Sequence, residues 1–535
     1  MLRKIIFNKT NYLSLRMAHT GLLMLSHPSK VGCLLPAIQD HVQNTLYIHV
    51  PSALNSSPVN KTLCRIYSET SVLGRKIDVR VLLSVLKYPQ LSTIHTRRKI
   101  DVVLFDNNRS STEMNNFLQS NVVNIAPNCQ VVNLSKNLGG CESELVTDCD
   151  SVDQICPRKM YENVVLGGTF DQLHPGHKIL LSEAVMHCSQ QLTVGVTDTS
   201  MLKSKKLWEL IEPCTKRMRS VEDFLNDVDP NLQYKIVPIT DPYGPTKEDP
   251  NLQMIVVSSE TLKGGKMVND LRAKSGLSTL DIHVVELLTN DSLPTELEIG
   301  EAKISSSNHR LQLLGTRIRI PEVKANLPPY PYIIGLTGGI ASGKSSMCKR
   351  IADLGAGIID CDRLAHKVYR KGEVCHQLVV KNFGEHILDS QGEVDRRKLG
   401  DIVFQNKEKL ELLNSILWPH ILETAKVESQ KLYEKGHKVV IMEAALLIQA
   451  GWDQHCHEVW LCIVSPEEAL RRLEARNHLS PAEAKARLAA QPCNMELVAH
   501  SHVVFCTEWD RSFSQYQAEK AWNELQDFLK TRAVL

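Results

Sequence analysis

The sequence predicts an α/β protein that is built from parallel sheets and divided into several domains. Twice a short apolar run enters a glycine-rich turn and continues into a helical pattern, in VVLGGTFDQLHPGHKILL and in YIIGLTGGIASGKSS. A strand that is followed by a helix and another strand of the same sheet needs a right-handed crossover, which makes the strands parallel. At 535 residues the chain is also too long for a single hydrophobic core.

Composition excludes several classes of function. Lys and Arg total 62 against 60 Asp and Glu, a net charge of +2, so we expect no nucleic-acid partner and only local attraction for anionic substrates. The chain has no run of about 20 uncharged apolar residues, and therefore no predicted transmembrane helix. Its 15 cysteines include no CxxC pair, which is typical of thiols in a reducing compartment and not of a secreted protein.

Residues 1–39 differ from the rest because they contain no Asp or Glu. Their positive charges are Arg3, Lys4, Lys9, Arg16 and Lys30. This composition is typical of a mitochondrial presequence or of an amphipathic anchor, and a basic disordered start is the alternative. We predict a basic targeting or anchor segment with peripheral contact to a mitochondrial membrane. The expected location is the mitochondrion, in the matrix or at the outer surface, and/or the cytoplasm.

The segments that follow alternate between strand-like runs and polar connections. Residues 40–135 contain TLYIHV, DVRVLLSVL and DVVLF without a catalytic motif, and are predicted to be a non-catalytic α/β region. The acidic, polar stretch 136–160 is a predicted linker. Residues 161–315 open with the βαβ pattern ENVVLGG, HKILLSEAVMHCS and LTVGVTD, and form the next predicted domain.

A proline-containing linker is predicted over 316–331, because proline disfavours helix and central strand. A stiff spacer is one interpretation and a ligand for an SH3 domain is the other. Protein partners would bind this stretch, at 321–332, or the N-terminal region. Residues 332–535 then alternate strands such as YIIGLTG, KVVIMEA and EVWLCIV with helical segments, which predicts a doubly wound α/β domain.

The first glycine turn combines backbone amides with two histidines. Gly167 and Gly168 allow the backbone to approach a phosphate, and the hydroxyl of Thr169 can donate to it. His174 and His177 lie where the next helix begins, so both imidazoles and the positive helix end can face one anion. Donors aimed at the α-phosphate of a nucleotide would stabilise adenylyl transfer without a covalent intermediate.

This stretch resembles the HxGH nucleotidyltransferases, which have a Rossmann-like fold. The GGTFD opening and the later ISSS segment look most like phosphopantetheine adenylyltransferase. The resemblance implies that ATP phosphates contact a lysine of the 203–206 stretch, for which we favour Lys205, and the ISSS residues. The carried-over ATP positions are Gly168, Thr169, Lys263, Ser305, Ser306, Ser307 and Arg310. The family usually has Arg where this chain has Lys263, which keeps the charge but loses bidentate geometry.

The second turn satisfies GxxxxGK[ST] between a strand and a helix, the context that makes this motif specific. In such a loop the amides surround the β-phosphate, Lys344 reaches the β- and γ-phosphates, and Ser345 binds Mg²⁺. The predicted phosphate-binding residues are Gly338, Gly339, Ile340, Ala341, Ser342, Gly343, Lys344 and Ser345.

The strand after this loop ends in Ile359-Asp360-Cys361-Asp362 and places a carboxylate opposite the loop. This half of the chain resembles dephospho-CoA kinase, with an adenylate-kinase-like P-loop fold. The resemblance implies that Asp362 accepts a proton from the substrate hydroxyl; a helix-capping aspartate is the alternative. Arg472 and Arg476 resemble lid arginines that close over ATP, and could otherwise belong to an ion-paired helix.

In this order the two domains resemble the bifunctional coenzyme A synthase family. The resemblance implies adenylyl transfer from ATP to 4′-phosphopantetheine, which gives dephospho-CoA and pyrophosphate. Phosphorylation of the dephospho-CoA 3′-hydroxyl by a second ATP follows, with Mg²⁺ at both steps. A nicotinamide mononucleotide adenylyltransferase fused to a riboside kinase is one alternative. A nucleotide-binding scaffold without activity is the other, and the intact His174, His177, Lys344 and Asp362 argue against it.

Overall fold

Three parallel five-stranded sheets form the frame of the chain. The structure is a computed structural model that describes residues 18–51, 59–73, 76–135, 158–286, 306–404, 406–477 and 480–534. It divides the chain into two units, residues 1–308 and 309–535. The predicted parallel α/β class is confirmed, including the α/β extension at the N-terminus.

The first sheet has the strand order β3-β2-β1-β4-β5, with every pair parallel. Its strands are β1 Ala18–Met24, β2 Val42–His49, β3 Asp78–Val81, β4 Ile100–Phe105 and β5 Ile125–Asn133. Its helices are α1 Val31–His41, α2 Val59–Glu69, α3 Ser84–Lys87 and α4 Ser111–Asn121. Helix α4 begins with a capping box, in which Ser110 accepts from the amide of Glu113 and the Glu113 carboxylate accepts from the amide of Ser110.

The predicted targeting segment 1–39 extends too far into the folded chain. Residues 18–24 form β1, the central strand of the first sheet, and most of α1 lies before residue 40. Leu22, Leu23 and Leu34 of this stretch are fully buried, as expected for part of a folded core. The boundary at residue 39 is therefore wrong, and residues 1–17 lie outside the described residues.

The second sheet repeats the strand order of the first. Its strands are β6 Tyr161–Gly168, β7 Cys188–Thr197, β8 Gln233–Ile239, β9 Met254–Ser258 and β10 Asp281–Val285, and its helices are α5 Pro175–His187, α6 Cys214–Val228 and α7 Leu262–Lys274. Counted from its own first strand, the order β8-β7-β6-β9-β10 matches β3-β2-β1-β4-β5. The chain therefore reverses its winding beside β6, which creates a crevice at the carboxyl ends of β6 and β9. The predicted linker 136–160 lies almost wholly outside the described residues.

Both sheets of the first unit share one continuous hydrophobic core. Beside it, the nearly buried guanidinium of Arg80 on β3 donates to the carboxylates of Asp223 and Asp227 on α6, the former at 2.8 Å. Tyr47 also donates to Asp227, at 2.9 Å. Because a buried charge is tolerated only when it is paired, this cluster ties the first sheet to the helix of the second.

The sheet of the second unit has the order β12-β13-β11-β14-β15, again with every pair parallel. Its strands are β11 Tyr332–Gly338, β12 Gly357–Asp360, β13 Val439–Glu443, β14 Glu458–Ile463 and β15 Val503–Cys506. Its helices are α8 Ser306–Leu313, which begins before the boundary of the unit, α9 Lys344–Asp353, α10 Cys361–Lys367, α11 Val374–Phe383, α12 Arg396–Phe404, α13 Lys407–Glu434, α14 Pro466–Asn477, α15 Pro481–Ala489, α16 Asn494–His500 and α17 Arg511–Val534.

Residues 316–331 run along the second unit without regular structure, apart from one isolated bridge at Arg317. The amide of Ile318 donates to His502, and Lys324 donates to two carbonyls, those of Asp453 and Cys456, both at 2.7 Å. These bonds hold the proline-containing stretch against the fold, so it is not a detached spacer.

The sequence also predicted free thiols and the absence of a transmembrane helix. Eleven described cysteines carry free thiols, whereas Cys33 is disulfide-bonded. Among the described residues, no helix combines the length and the apolar content needed to span a bilayer.

We expect Arg80→Ala to lower the free energy of unfolding of the first unit by about 3–5 kcal/mol, because it removes the nearer of the two cations paired with the buried carboxylate of Asp227 and leaves Arg98 at 3.8 Å. Lys216→Ala is the control, since it removes an exposed ion pair with Glu212 beside the same helix and should cost less than about 1 kcal/mol. Calorimetry and urea unfolding of the full chain measure the difference. Equal losses in both variants would contradict the role given to Arg80.

Candidate active sites

The first site lies where β6 ends and α5 begins. His174 is the N-cap residue of α5, and His177 is in its first turn. Their rings stack with centroids 3.8 Å apart, and Phe170 packs against His177 at 5.3 Å. The two imidazoles therefore occupy one place at the positive end of a 13-residue helix, as the sequence predicted from their spacing.

The turn that carries these histidines has an unusual backbone. Phe170 and Gln172 have φ angles of 50° and 45°, the left-handed region that non-glycine residues seldom adopt. Each such residue costs about 1–2 kcal/mol, which the surrounding contacts must offset. The ring of Phe170 lies over Gly168, where an added Cβ would come within 3.0 Å of it. Gly168 therefore leaves room for a buried aromatic residue beneath the turn.

Arg217 supports the turn from the protein interior. This guanidinium, 1% exposed, donates to the carbonyls of Thr169 at 2.6 Å and Thr197 at 2.8 Å. It thereby joins the ends of β6 and β7. Thr197 also donates to the hydroxyl of Thr169, at 3.4 Å. Thr169 itself is buried, so its side chain forms part of the wall of the turn.

The neighbouring strands bring the predicted lysines to the same edge of the sheet. Lys205 follows β7 and Lys263 is the second residue of α7 after β9, and both are exposed. Because β7 and β9 flank β6, these lysines lie on either side of the histidine turn. The hydroxyl of Ser306, at the start of α8, lies 3.1 Å from Nε2 of His174.

Ser305, Ser307 and Arg310 are the other positions carried over from the resemblance. Ser307 follows Ser306 in α8 and is half-buried. Arg310 is 1% exposed and belongs to the second unit. Ser305 lies outside the described residues.

The second site is the loop between β11 and α9. Gly338, Ala341 and Gly343 all have positive φ angles, of 151°, 60° and 84°, and Gly343 is the N-cap residue of α9. An added Cβ at Gly338 would lie 2.2 Å from the carbonyl oxygen of Cys462. Lys344 Nζ donates to the carbonyls of Gly338 at 2.8 Å and Gly339 at 3.2 Å, which folds its side chain back over the loop.

An oxygen pair for a divalent cation lies beside this loop. The hydroxyl of Ser345 donates to Glu443 at the end of β13, at 2.7 Å. Both residues also line a cavity of about 500 Å³, together with Asp360. Hydroxyl and carboxylate oxygens are the donors that Mg²⁺ prefers, so the residues fit this ion.

The sequence left two roles open for Asp362, that of proton acceptor and that of helix cap. The structure gives the helix cap to Asp360. Strand β12 ends at Asp360, whose carboxylate caps α10 by accepting from the amide of Arg363 at 2.8 Å. Asp362 is in the first turn of α10 and is open to solvent on one side. Desolvation by the surrounding protein raises its pKa, Lys344 and the Ala445 amide lower it, and Asp360 raises it, for a net increase. The capping role belongs to Asp360.

Arg472 on α14 contacts the outer side of the loop. Its guanidinium donates to the carbonyl of Ala341 at 3.1 Å and to the hydroxyl of Thr507 at 2.8 Å, and it pairs with Glu468 at 2.7 Å. Thr507 in turn donates to the carbonyl of Ser342, at 2.9 Å. Arg472 therefore forms an ion pair within its own helix and also contacts the glycine loop. The side chain of Arg476 is outside the description.

Sequence reasoning missed three residues that shape these turns. Arg217 holds the histidine turn, Thr507 contacts the glycine loop, and Gln491 accepts from the amide of Ile340 at 2.7 Å. Each lies dozens of residues from the turn it contacts, and none belongs to a recognisable motif. Only their hydrogen bonds in the folded chain identify them.

Comparisons with known proteins match both halves of the chain. The family model of cytidylyltransferase-like proteins matches residues 165–312, and that of dephospho-CoA kinases matches residues 332–508. The dephospho-CoA kinase of Carboxydothermus hydrogenoformans is 43% identical over 172 residues, which cover 32% of this chain and 84% of that protein. The dephospho-CoA kinase of Geobacter sulfurreducens is 40% identical over 190 residues, 36% of this chain and 96% of that protein.

A solved structure of dephospho-CoA kinase from Campylobacter jejuni is 26% identical, with a TM-score of 0.30, and the match covers 36% of this chain and 96% of that one. The enzymes from Carboxydothermus and Geobacter match over most of their lengths. Through its second unit the chain therefore belongs to the dephospho-CoA kinase family, and with the cytidylyltransferase-like domain ahead of it the whole is a fused, coenzyme A synthase-like protein.

Proposed function

We propose that this chain catalyses the last two steps of coenzyme A biosynthesis, as a pantetheine-phosphate adenylyltransferase and a dephospho-CoA kinase. The observation that carries the proposal is the presence of two different phosphate-binding turns in the matched domains. One has a stacked histidine pair at a helix N-terminus. The other has a glycine loop with Lys344, and Asp362 lies close enough for the lysine to influence its pKa.

In the first step a phosphate oxygen of 4′-phosphopantetheine attacks the α-phosphorus of ATP. The bond between that phosphorus and the bridging oxygen breaks, and pyrophosphate leaves with the electron pair. His174, His177 and the helix N-terminus stabilise the negative charge that develops on the α-phosphate. Lys205, in the loop after β7, and Lys263, at the start of α7, flank the turn and bind the other phosphate oxygens. No covalent enzyme intermediate is needed.

In the second step the 3′-hydroxyl of dephospho-CoA attacks the γ-phosphorus of a second ATP, and ADP leaves. Asp362 accepts the hydroxyl proton, while Lys344 and the loop amides bind the β- and γ-phosphates. Ser345 and Glu443 would hold Mg²⁺, which neutralises charge on the phosphate oxygens when it is bound. Arg472 supports the loop from outside, where its guanidinium lies against Ala341.

The alternative pairing, a nicotinamide mononucleotide adenylyltransferase with a riboside kinase, shares both turns but differs in substrate. The match of residues 332–508 to dephospho-CoA kinases favours the pantetheine series for the second step. It also favours it for the first, because the product of the first step is then the substrate of the second.

We expect Lys344→Ala to accumulate dephospho-CoA when the full chain is supplied with 4′-phosphopantetheine, ATP and Mg²⁺. Loss of the lysine removes a cation from the transferring phosphoryl group and should slow the second step at least about 100-fold. Mass-resolved product analysis measures both products. Lys381→Ala, on the exposed side of α11, is the control and should form coenzyme A normally. If wild type forms no adenylylated product, the pantetheine assignment is wrong, and nicotinamide mononucleotide is the next substrate.

His177→Ala should lower the rate of adenylyl transfer by a factor of at least about 10²–10³, because it removes a donor to the α-phosphate. The rate of dephospho-CoA phosphorylation should be unchanged. The two steps are assayed separately, the second with added dephospho-CoA. His41→Ala, on α1, is the matched control. Loss of both activities in a folded His177→Ala protein would contradict two independent sites.

The kinase step should lose rate as the pH falls through the pKa of Asp362, because only the carboxylate accepts the proton. That pKa lies above the ordinary aspartate value of 3.8, so the acid limb should lie above it too. Asp362→Asn should reduce the rate by about 10²–10⁴ and remove this limb, whereas Asp353→Asn at the exposed end of α9 should retain it. An unchanged acid limb in Asp362→Asn would assign the base to another group.

A further inference from the structure

A cluster of three metal-ligating side chains lies at the other end of α5, away from the histidine turn. Glu183 and His187 are one helical turn apart on α5, and His283 projects from β10. An oxygen of Glu183 lies 3.4 Å from Nε2 of His283 and 3.9 Å from Nε2 of His187. One ligand atom from each residue lies within 4.8 Å of the others. Two ligand atoms that each lie about 2.0–2.2 Å from one tetrahedral ion are about 3.3–3.6 Å apart. The separations between the Glu183 oxygen and the two imidazole nitrogens are close to this range.

A hydrogen bond orients His187 for coordination. Its Nδ1 lies 3.1 Å from the carbonyl oxygen of Lys159, which can only accept, so Nδ1 carries the proton in the neutral ring. Nε2 then has a free lone pair, and it is the atom that faces Glu183. This arrangement of a ligating histidine with its other nitrogen bonded to a carbonyl is common in metal sites.

The cluster leaves buried polar atoms unsatisfied. Glu183 is 2% exposed, and its Oε1 has no hydrogen-bond partner in the part of the chain that the structure describes. The same holds for Nε2 of His283. A buried carboxylate oxygen without a partner costs free energy, and a bound cation would remove that cost. These atoms converge on one point between α5 and β10.

We propose that Glu183, His187 and His283 bind a zinc ion. Two imidazoles and a carboxylate are a common three-ligand set for Zn²⁺, and water would complete the tetrahedron. The side chains of His187 and His283 are 13% and 28% exposed, which leaves a path for the ion and for that water. The hard ions Mg²⁺ and Ca²⁺ prefer oxygen ligands only, and so should compete poorly.

This zinc ion would have a structural role and not a catalytic one. His174 and His187 are 13 residues apart along α5, about 20 Å at the helical rise. The ion would instead fasten the C-terminal end of α5 to the edge strand β10. Because α5 carries both histidines of the first site at its other end, zinc would stabilise the helix on which that site is built.

Two other groups near the proposed ligands, Arg158 and Cys64, affect which ion and which donors the site can use. The positive charge of Arg158 acts on Glu183 and His187, and so would oppose a second cation there. Burial, and then the nearby carboxylate of Glu183, raise the pKa of the Cys64 thiol, but Cys64 is not one of the three converging groups. We therefore expect removal of Arg158 to favour zinc, and Cys64 to remain a thiol.

The experiment measures Zn²⁺ binding to the full chain after treatment with a chelator, by competition with a chromophoric chelator and by metal analysis after dialysis. Glu183→Gln and His283→Gln should each weaken the affinity at least about tenfold. Arg158→Gln is the matched control in the same place, and should bind zinc as tightly as wild type or more tightly. Zinc should raise the melting temperature of the first unit in wild type but not in Glu183→Gln.

Replacement of Zn²⁺ by Co²⁺ allows the type of ligand atom to be read from the absorption spectrum. Four-coordinate Co²⁺ bound by nitrogen and oxygen absorbs in the visible region without the near-ultraviolet charge-transfer band that a thiolate adds. Unchanged zinc affinity in Glu183→Gln and His283→Gln, or a thiolate band that Cys64→Ser removes, would overturn the proposal. Because His283 is partly exposed on an edge strand, its variant provides the test even if Glu183→Gln fails to fold.

Discussion

Binding a multiply charged phosphate requires several backbone amides at one point, and the turns of both matched domains have the form that meets this requirement. The carboxyl edge of a parallel sheet supplies such a point, because a strand that turns directly into a helix aims its free amides at the gap between them. Both candidate sites use the central strand of their sheets, β6 and β11. The rest of each domain supplies side chains to the same edge from neighbouring strands, as Lys205, Lys263 and Glu443 illustrate.

The first sheet contributes to this arrangement although it carries no motif. Lys178, adjacent to His177, is buried and donates to Asp78 at 2.6 Å and to the carbonyl of Val79 at 2.8 Å, both on β3. Burial alone would raise the pKa of Asp78, but Lys178 and Arg80 outweigh it and hold that pKa below its ordinary value. The helix that presents the histidine pair is thus fixed from one side by the N-terminal sheet. The N-terminal sheet is therefore packed directly against the cytidylyltransferase-like domain.

Both turns use backbone conformations that are costly by themselves. Phe170 and Gln172 in one, and Ala341 in the other, have positive φ angles without being glycine. Such conformations persist only where neighbouring groups hold them. Arg217 provides this support for the histidine turn, whereas Arg472 and Thr507 provide it for the glycine loop. In both cases a guanidinium or hydroxyl donates to loop carbonyls and thereby fixes the backbone of the turn.

The sequence by itself determined the parallel α/β class, both turns and the residues within them, because these depend on local order: a strand, glycines, and a helix start within about 15 residues. Tertiary structure decided what depends on distant pairing. It made β1 the central strand of a sheet, assigned the helix cap to Asp360, and brought Arg217 to Thr169. It also brought His283 to Glu183, 100 residues earlier. No local pattern marks such pairs, since burial and strand order bring them together only when the chain is folded.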